Sequence, residues 1–186
     1  EEQIKVCNKE LEDLINIKLA FDDLFIGDTD FLDKLDEMVG KIDISFKENP
    51  EHTNNMVSSL TTEIRKYNSE LKAEWSKCFH QNYDNILGTL ELLKKVSDNP
   101  EIRRFYSEIR IIGNRWPIFK KDINKLKFLN NKAEKLIDGL DINEDIQRFL
   151  ILTLNKQATV RDLDANILKW LRDTDADENI VLSFKR

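Results

Sequence analysis

The chain has 186 residues and a mass of 21.9 kDa, with 34% charged and 40% hydrophobic residues but only 5 glycines and 3 prolines. So few turn-forming residues argue against a β-sandwich, and the apolar fraction is too high and too periodic for a disordered chain. The net charge is −6, and no apolar run of about 18 residues predicts a transmembrane span. These bounds favour a globular helical protein.

Two amphipathic helices are predicted at the beginning of the chain. The first covers residues 2–26 and ends at Gly27. The second follows a cap at Asp28 or Thr29 and stops near Gly40. The apolar positions of the first helix are Ile4, Cys7, Leu11, Leu14, Ile15, Phe21, Leu24 and Phe25.

Residues 42–46 show a different periodicity. Ile42, Ile44 and Phe46 are each separated by one polar residue, and this alternation predicts a β-strand before the Asn49-Pro50 breaker. The segment could equally be a ragged last turn of the second helix.

The longest predicted element is a helix over Met56–Val96, which contains no proline and a single glycine, Gly88. Its apolar residues recur at steps of three and four, so they form one stripe. An unbroken helix of about 40 residues would be on the order of 60 Å long, and other segments must pack along it. The same a/d-like spacing is used by dimeric coiled coils, so a homodimer through this helix is also predicted.

Three more interruptions divide the rest of the chain. A helix that begins at Pro100 is broken at residues 113–117, where Pro117 removes an amide donor, and helix resumes to Gly139 or Leu140. Asn143 and Asp164 are expected to cap two short helices.

The last residues, Ile180–Phe184, have the composition of a strand. A strand cannot satisfy its backbone hydrogen bonds alone, so we expect it to pair with residues 42–46 or with a partner chain, unless the end is simply extended.

These elements predict an all-α fold: an elongated, mostly antiparallel bundle of about five to seven helices around the long central helix. A small C-terminal helix-plus-strand module completes it. The expected domains are residues 1–140 for the bundle and residues 141–186 for the module, packed together as one unit.

Charge is unevenly distributed along the chain. Residues 1–40 carry 12 acidic and 4 basic side chains, whereas residues 101–135 carry 10 basic and 4 acidic ones. Either the two segments lie near one another, or the basic segment is exposed and meets an anionic partner. The residues predicted for this partner or nucleic-acid face are Arg103, Arg104, Arg110, Arg115, Lys120, Lys121, Lys125 and Lys127.

The same segment contains Lys132, Lys135 and five aromatic residues: Phe105, Tyr106, Trp116, Phe119 and Phe128. Basic residues interleaved with aromatic ones are typical of nucleic-acid surfaces. However, several of these aromatics share stripes with isoleucine and leucine, which is the pattern of a core.

No constellation of residues predicts catalysis, a cofactor or a metal. The acidic turn at residues 173–177 resembles a calcium loop in spacing, but Glu178 and Phe184 stand where the loop needs glycine and glutamate. His52 and His80 lack ligand spacing, and nucleophile and phosphate-binding motifs are absent. We therefore expect no enzymatic activity, no cofactor and no metal site.

The sequence favours a non-catalytic helical protein–protein interaction or scaffold module, as a domain of a larger protein or part of an assembly. The alternative is a nucleic-acid-associated protein that binds through residues 103–135. Trp170 is interpreted either as a core anchor or as an exposed anchor for a partner. Cys7 and Cys78 lie on apolar stripes, which indicates buried thiols in a reducing compartment, so a cytoplasmic protein without membrane association is expected.

Overall fold

The computed structural model of the protein describes residues 2–22, 30–174, 176 and 180. Over these residues the chain forms seven α-helices, one short 3₁₀ helix and no strand, which confirms the predicted all-α class. The α-helices are α1 (Glu2–Asp22), α2 (Asp30–Glu48), α3 (Pro50–Val96), α4 (Pro100–Gly113), α5 (Lys120–Gly139), α6 (Glu144–Leu154) and α7 (Ala165–Asp173), and the 3₁₀ helix is Val160–Asp162.

Helix α3 has 47 residues and begins at Pro50 rather than at the predicted Met56. Proline suits the first position of a helix, because its missing N–H would have no intrahelical partner there. The predicted apolar stripe of α3 is buried against other helices of the chain. Its buried members are Val57, Leu60, Ile64, Leu71, Trp75, Phe79, Ile86, Leu90 and Leu93, whereas Tyr67, Cys78, Tyr83 and Leu87 are half-buried.

The chain divides into two compact units. Unit 1 contains Glu1–Gln81 and Asn114–Asn124, and unit 2 contains Asn82–Gly113 and Lys125–Arg186. Helices α3 and α5 each contribute residues to both units. The domain boundary predicted at residue 140 stays a prediction.

In unit 1, helices α1 and α2 both contact the first part of α3. The guanidinium of Arg65 donates to the Glu10 carboxylate at 2.8 Å, and this links α3 to α1. On the α2 side, the rings of Phe31 and Tyr67 stack with their centres 4.9 Å apart. The apolar interior of unit 1 is therefore bordered by specific polar and aromatic contacts, which fix how the helices meet.

The segment between α4 and α5 confirms the predicted interruption, since α4 ends at Gly113 and α5 begins at Lys120. Within unit 1, Trp116 from this segment lies edge-on to Phe21 with the ring centres 6.3 Å apart. Its indole nitrogen donates to Asn68 Oδ1 at 2.7 Å. The interruption is thus an ordered connection that packs on α1 and α3.

Unit 2 contains the end of α3, with α4, most of α5, α6 and α7. The predicted N-caps are confirmed: Asn143 Oδ1 accepts from the Ile146 N–H at 2.9 Å, and Asp164 Oδ1 accepts from the Ile167 N–H at 2.7 Å. Each cap satisfies an amide that has no partner within the first turn of its helix.

The strand predicted at residues 42–46 is wrong, and the alternative of a continued helix is correct, because α2 extends to Glu48 and does not stop near Gly40. Ion pairs four residues apart, Lys41 with Glu37 and Lys47 with Asp43, support the last turns of α2. Ile44 and Phe46 are each 58% exposed, so their alternation with polar residues reflects solvent exposure and not a buried strand face.

The predicted C-terminal strand, Ile180–Phe184, lies outside the described residues except for Ile180, which belongs to no helix or strand. Its conjectured pairing with residues 42–46 fails because those residues are helical. The expected end of the first helix near Ile26 and the caps at residues 27–29 also lie outside the described residues.

Candidate interaction surfaces

The predicted basic residues do not form one continuous set of free cations. Arg115, Lys120 and Lys121 belong to unit 1, and the other five belong to unit 2. On α4, Arg103 pairs with Asp98 at 2.9 Å and Arg104 pairs with Glu101 at 3.1 Å. Both pairs neutralise charge that the sequence alone suggested was available to an anion.

Arg110 and Arg115 also make contacts within the chain. Arg110 donates to the hydroxyl of Tyr106 at 3.1 Å. Arg115 donates to Asp122 Oδ1 at 2.5 Å, while Asp122 Oδ2 accepts from the Phe119 N–H at 3.2 Å. Because Asp122 is buried and lies in the first turn of α5, this pair helps to fix where α5 begins.

The lysines of α5 are all exposed, but they differ in the groups that they contact. Lys125 pairs with Glu108 of α4 at 2.7 Å, and the ammonium group of Lys121 lies 5.7 Å from the centre of the Phe119 ring. Lys120 and Lys127 are also exposed. The exposed lysines of α5 therefore include at least one, Lys125, that is paired with an acidic residue of α4.

Among the five aromatics of this segment, Phe128 differs from the others. Phe105 is buried, and Tyr106, Trp116 and Phe119 are partly buried, whereas Phe128 is 60% exposed. Phe128 lies on the opposite side of α5 from the buried stripe, whose members are Ile123, Leu126, Leu129 and Ala133. The core interpretation holds for Phe105, but Phe128 points to solvent.

Four residues of unit 2 surround Phe128 on the outward side of α5. We call this set the Phe128 patch; with Phe128 it consists of Lys125, Asn131, Lys132 and Lys135, all exposed. At roughly 100° per residue, each lies within about 60° of Phe128 around the helix axis. The ammonium group of Lys132 lies 5.8 Å from the centre of the Phe128 ring. Lys132 and Lys135 were not among the residues predicted for the face.

Helix α1 is apolar on two sides. Its buried side contains Cys7, Leu14, Ile17, Ala20 and Phe21. Its other side carries four residues that we call the outward α1 stripe: Ile4, Leu11, Ile15 and Leu19. Leu11 is half-buried, whereas Ile15 is 44% and Leu19 is 54% exposed. Ile4, Leu11 and Ile15 were predicted on the same apolar side as Cys7 and Leu14, and the structure separates them.

Trp170 is buried in unit 2, with 6% of its surface exposed. Its indole nitrogen donates to the carbonyl oxygen of Leu140 at 2.6 Å. Of the two interpretations of Trp170, this environment fits the core anchor. Little of the ring is left for a partner to contact.

The described ranges offer few further candidates for a metal site or a cysteine-based site. No group of three or more histidine, cysteine, aspartate or glutamate side chains there is placed to hold a metal ion. Cys7 is buried as predicted, but Cys78 is only half-buried. Of the acidic turn considered for calcium, Asp175 and Asp177 lie outside the described residues.

No family model, curated protein or solved structure matches the chain. Within the described part of the chain, every helix is too short or too polar to cross a membrane.

Proposed function

We propose that the protein is a non-catalytic helical interaction module, and that it binds a partner protein through the outward α1 stripe. The observation that carries this proposal is the second apolar side of α1, where Ile4, Ile15 and Leu19 remain exposed. A single exposed apolar residue is ordinary on a protein surface, but several aligned on one helix support the presence of an interaction site.

The spacing of the stripe supports a helical partner. Ile4, Leu11, Ile15 and Leu19 follow one another at steps of seven, four and four residues, which places them on one side of a helix. Partner helices bind such surfaces through anchors at these intervals. From Ile4 to Leu19 the stripe is about 22 Å long, enough to contact about four turns of a partner helix.

The stripe is a better candidate than the central helix for this role. The apolar side of α3, including Leu60, Ile64 and Leu90, is already buried within the chain. A homodimer through that side would first have to displace the covering helices, so we do not include it in the proposal.

The experiment compares proteins captured from the source cells by the native chain and by the variant Ile15→Asp/Leu19→Asp. The matched control is Lys9→Asp, which places a carboxylate on an exposed position on another side of α1. We expect a partner that is enriched with the native chain and the control but lost with the stripe variant. Equal capture by all three would contradict the proposal, once circular dichroism has shown that each variant is folded.

The second candidate is nucleic-acid binding through the basic segment 103–135, and the Phe128 patch favours it. An exposed aromatic ring among lysines is the arrangement by which proteins hold nucleic-acid bases and phosphates. Because Arg103 and Arg104 are paired with acidic residues, the informative charge changes are Lys132→Glu and Lys135→Glu. Salt-sensitive binding that survives this double change would contradict the use of this face.

A further inference from the structure

The Phe128 patch has the chemistry of a site for single-stranded nucleic acid. We propose that an unpaired base stacks on the ring of Phe128 while neighbouring phosphates contact Lys125, Lys132 and Lys135. This inference rests on the second candidate function, nucleic-acid binding, and names the form of nucleic acid and the residue that recognises it.

The first argument is the exposure of Phe128. Phe128 is 60% exposed, and no other large apolar side chain in the described ranges is more accessible. The ring does not pack in the core, because α5 contributes Leu126 and Leu129 to the core from its other side. Stacking of a base covers such a ring without requiring a concave pocket, since every base has a flat apolar face.

The second argument is the charge around the ring. Lys125 precedes Phe128 by one turn, Lys132 follows it by one turn and Lys135 by two. The acidic residues of α5 lie farther around the axis, Asp138 by about 80° and Glu134 by about 120° from Phe128. Glu108 of α4 pairs with Lys125 at 2.7 Å, so Lys132 and Lys135 supply most of the uncompensated charge.

The patch suits nucleic acid better than an acidic protein. Lysine is depleted at the centres of protein–protein interfaces, because its ammonium group must be dehydrated there. On nucleic acid the same groups contact phosphates, which remain hydrated, and binding releases counterions. A membrane surface fits less well still, since an interfacial helix needs a whole apolar side and this patch contains a single apolar residue.

The ring selects a single strand over a duplex. In a duplex both faces of each base are occupied by its stacked neighbours, whereas an unpaired base can be splayed out onto an aromatic side chain. The distance along α5 from Lys125 to Lys135 is about 15 Å. At about 3.4 Å per stacked nucleotide, the patch accommodates roughly four nucleotides.

The test measures fluorescence anisotropy of labelled 12-nucleotide probes at low salt, as single-stranded RNA, single-stranded DNA and the corresponding DNA duplex, with the full chain. We expect both single strands to bind and the duplex to bind more weakly. Phe128→Ala should weaken single-strand binding by about 5- to 150-fold. The matched control is Phe46→Ala, because Phe46 is 58% exposed on α2 and should have no effect.

A salt titration supplies a second readout. Lys132→Gln/Lys135→Gln should lower the slope of log affinity against log salt by about 0.7 for each lysine. The control Lys72→Gln/Lys77→Gln, on exposed lysines of α3, should leave the slope unchanged. If instead this control lowers the slope as much as the patch variant does, the phosphates do not bind the Phe128 patch and the inference is overturned.

The outcomes separate this inference from the function on which it rests. Duplex and single strand binding equally well, with Phe128→Ala unchanged, would overturn the single-strand inference and leave nucleic-acid binding standing. No binding of any probe at low salt would overturn both. Poly-glutamate of the same total charge is used as a competitor. If it displaces the probe as effectively as the unlabelled oligonucleotide does, the inference is overturned in favour of an acidic protein partner.

Discussion

The indole nitrogen of Trp170 in α7 donates a hydrogen bond to the carbonyl oxygen of Leu140, 30 residues earlier in the chain. Leu140 lies just after the end of α5, so this contact joins the last described helix to the turn between α5 and α6. Within unit 2 it combines burial of a large ring with satisfaction of a carbonyl that no longer belongs to a helix.

Trp170→Ala should lower the free energy of unfolding by about 3–5 kcal/mol, because it removes a buried ring and leaves a cavity. Trp170→Phe keeps most of the volume and should cost about 1–2 kcal/mol through the lost hydrogen bond. The measurement is urea denaturation, with Leu168→Ala on the same helix as control. Leu168 is 39% exposed and Trp170 only 6%, so Leu168→Ala should cost less, and a loss for Trp170→Ala no larger than that of the control would contradict the burial of Trp170.

Arg115 and Asp122 provide a second stability prediction. Arg115→Ala leaves the buried Asp122 carboxylate with only the Phe119 N–H, and it should lower the free energy of unfolding by about 1–3 kcal/mol. Arg104→Ala, which removes an exposed ion pair with Glu101, should cost no more than about 0.5 kcal/mol. Thermal unfolding compares the two variants. Equal losses of stability in both would refute the structural role of Arg115.

Gly88 tests the continuity of α3. It lies inside the helix and is exposed, and a Cβ added there would meet no atom within 4 Å. Gly88→Ala should therefore raise the free energy of unfolding by about 0.5–1 kcal/mol, since alanine loses less conformational entropy in a helix. A destabilised variant in the same urea assay would show that the helix is not regular at this position.

The pKa of Asp162 is lowered by hydrogen bonds from Thr159, whose hydroxyl and backbone N–H both lie 2.7 Å from Asp162 Oδ2. A lowered folded-state pKa means that this contribution to stability is present above the unfolded pKa of about 4 and is lost as the pH falls through the folded value. NMR titration of the carboxyl carbon should show that Thr159→Val raises the pKa toward the ordinary value. An unchanged pKa in this variant would contradict the role of the hydroxyl.

Much of the fold follows from local patterns in the sequence. The stripe of α3, the caps at Asn143 and Asp164 and the break before Pro117 were all predictable, because each depends on residues within one or two turns. Residues 42–46 were misread because a short polar–apolar alternation does not distinguish a strand from an exposed helical turn. Ion pairs at four-residue spacing, such as Lys47 with Asp43, were the signal that favoured the helix.

The candidate surfaces were less predictable, because they depend on which side of each helix is covered. The apolar residues of α1 extend over more than half of its circumference, and the sequence does not say that Ile15 and Leu19 belong to the uncovered part. For Phe128 a signal was present: it lies out of phase with Leu126 and Leu129. The ion pairs of Arg103 and Arg104 involve nearby acidic residues, and only side-chain geometry shows which charges they neutralise.

Site-specific photocrosslinking in the source cells can show whether a partner protein contacts the outward α1 stripe. A photoreactive phenylalanine replaces Leu19 on the stripe in one protein and Lys9, on another side of α1, in the other. We expect a discrete crosslinked protein from position 19 and none from position 9. No crosslink from position 19, or the same product from both positions, would contradict that contact.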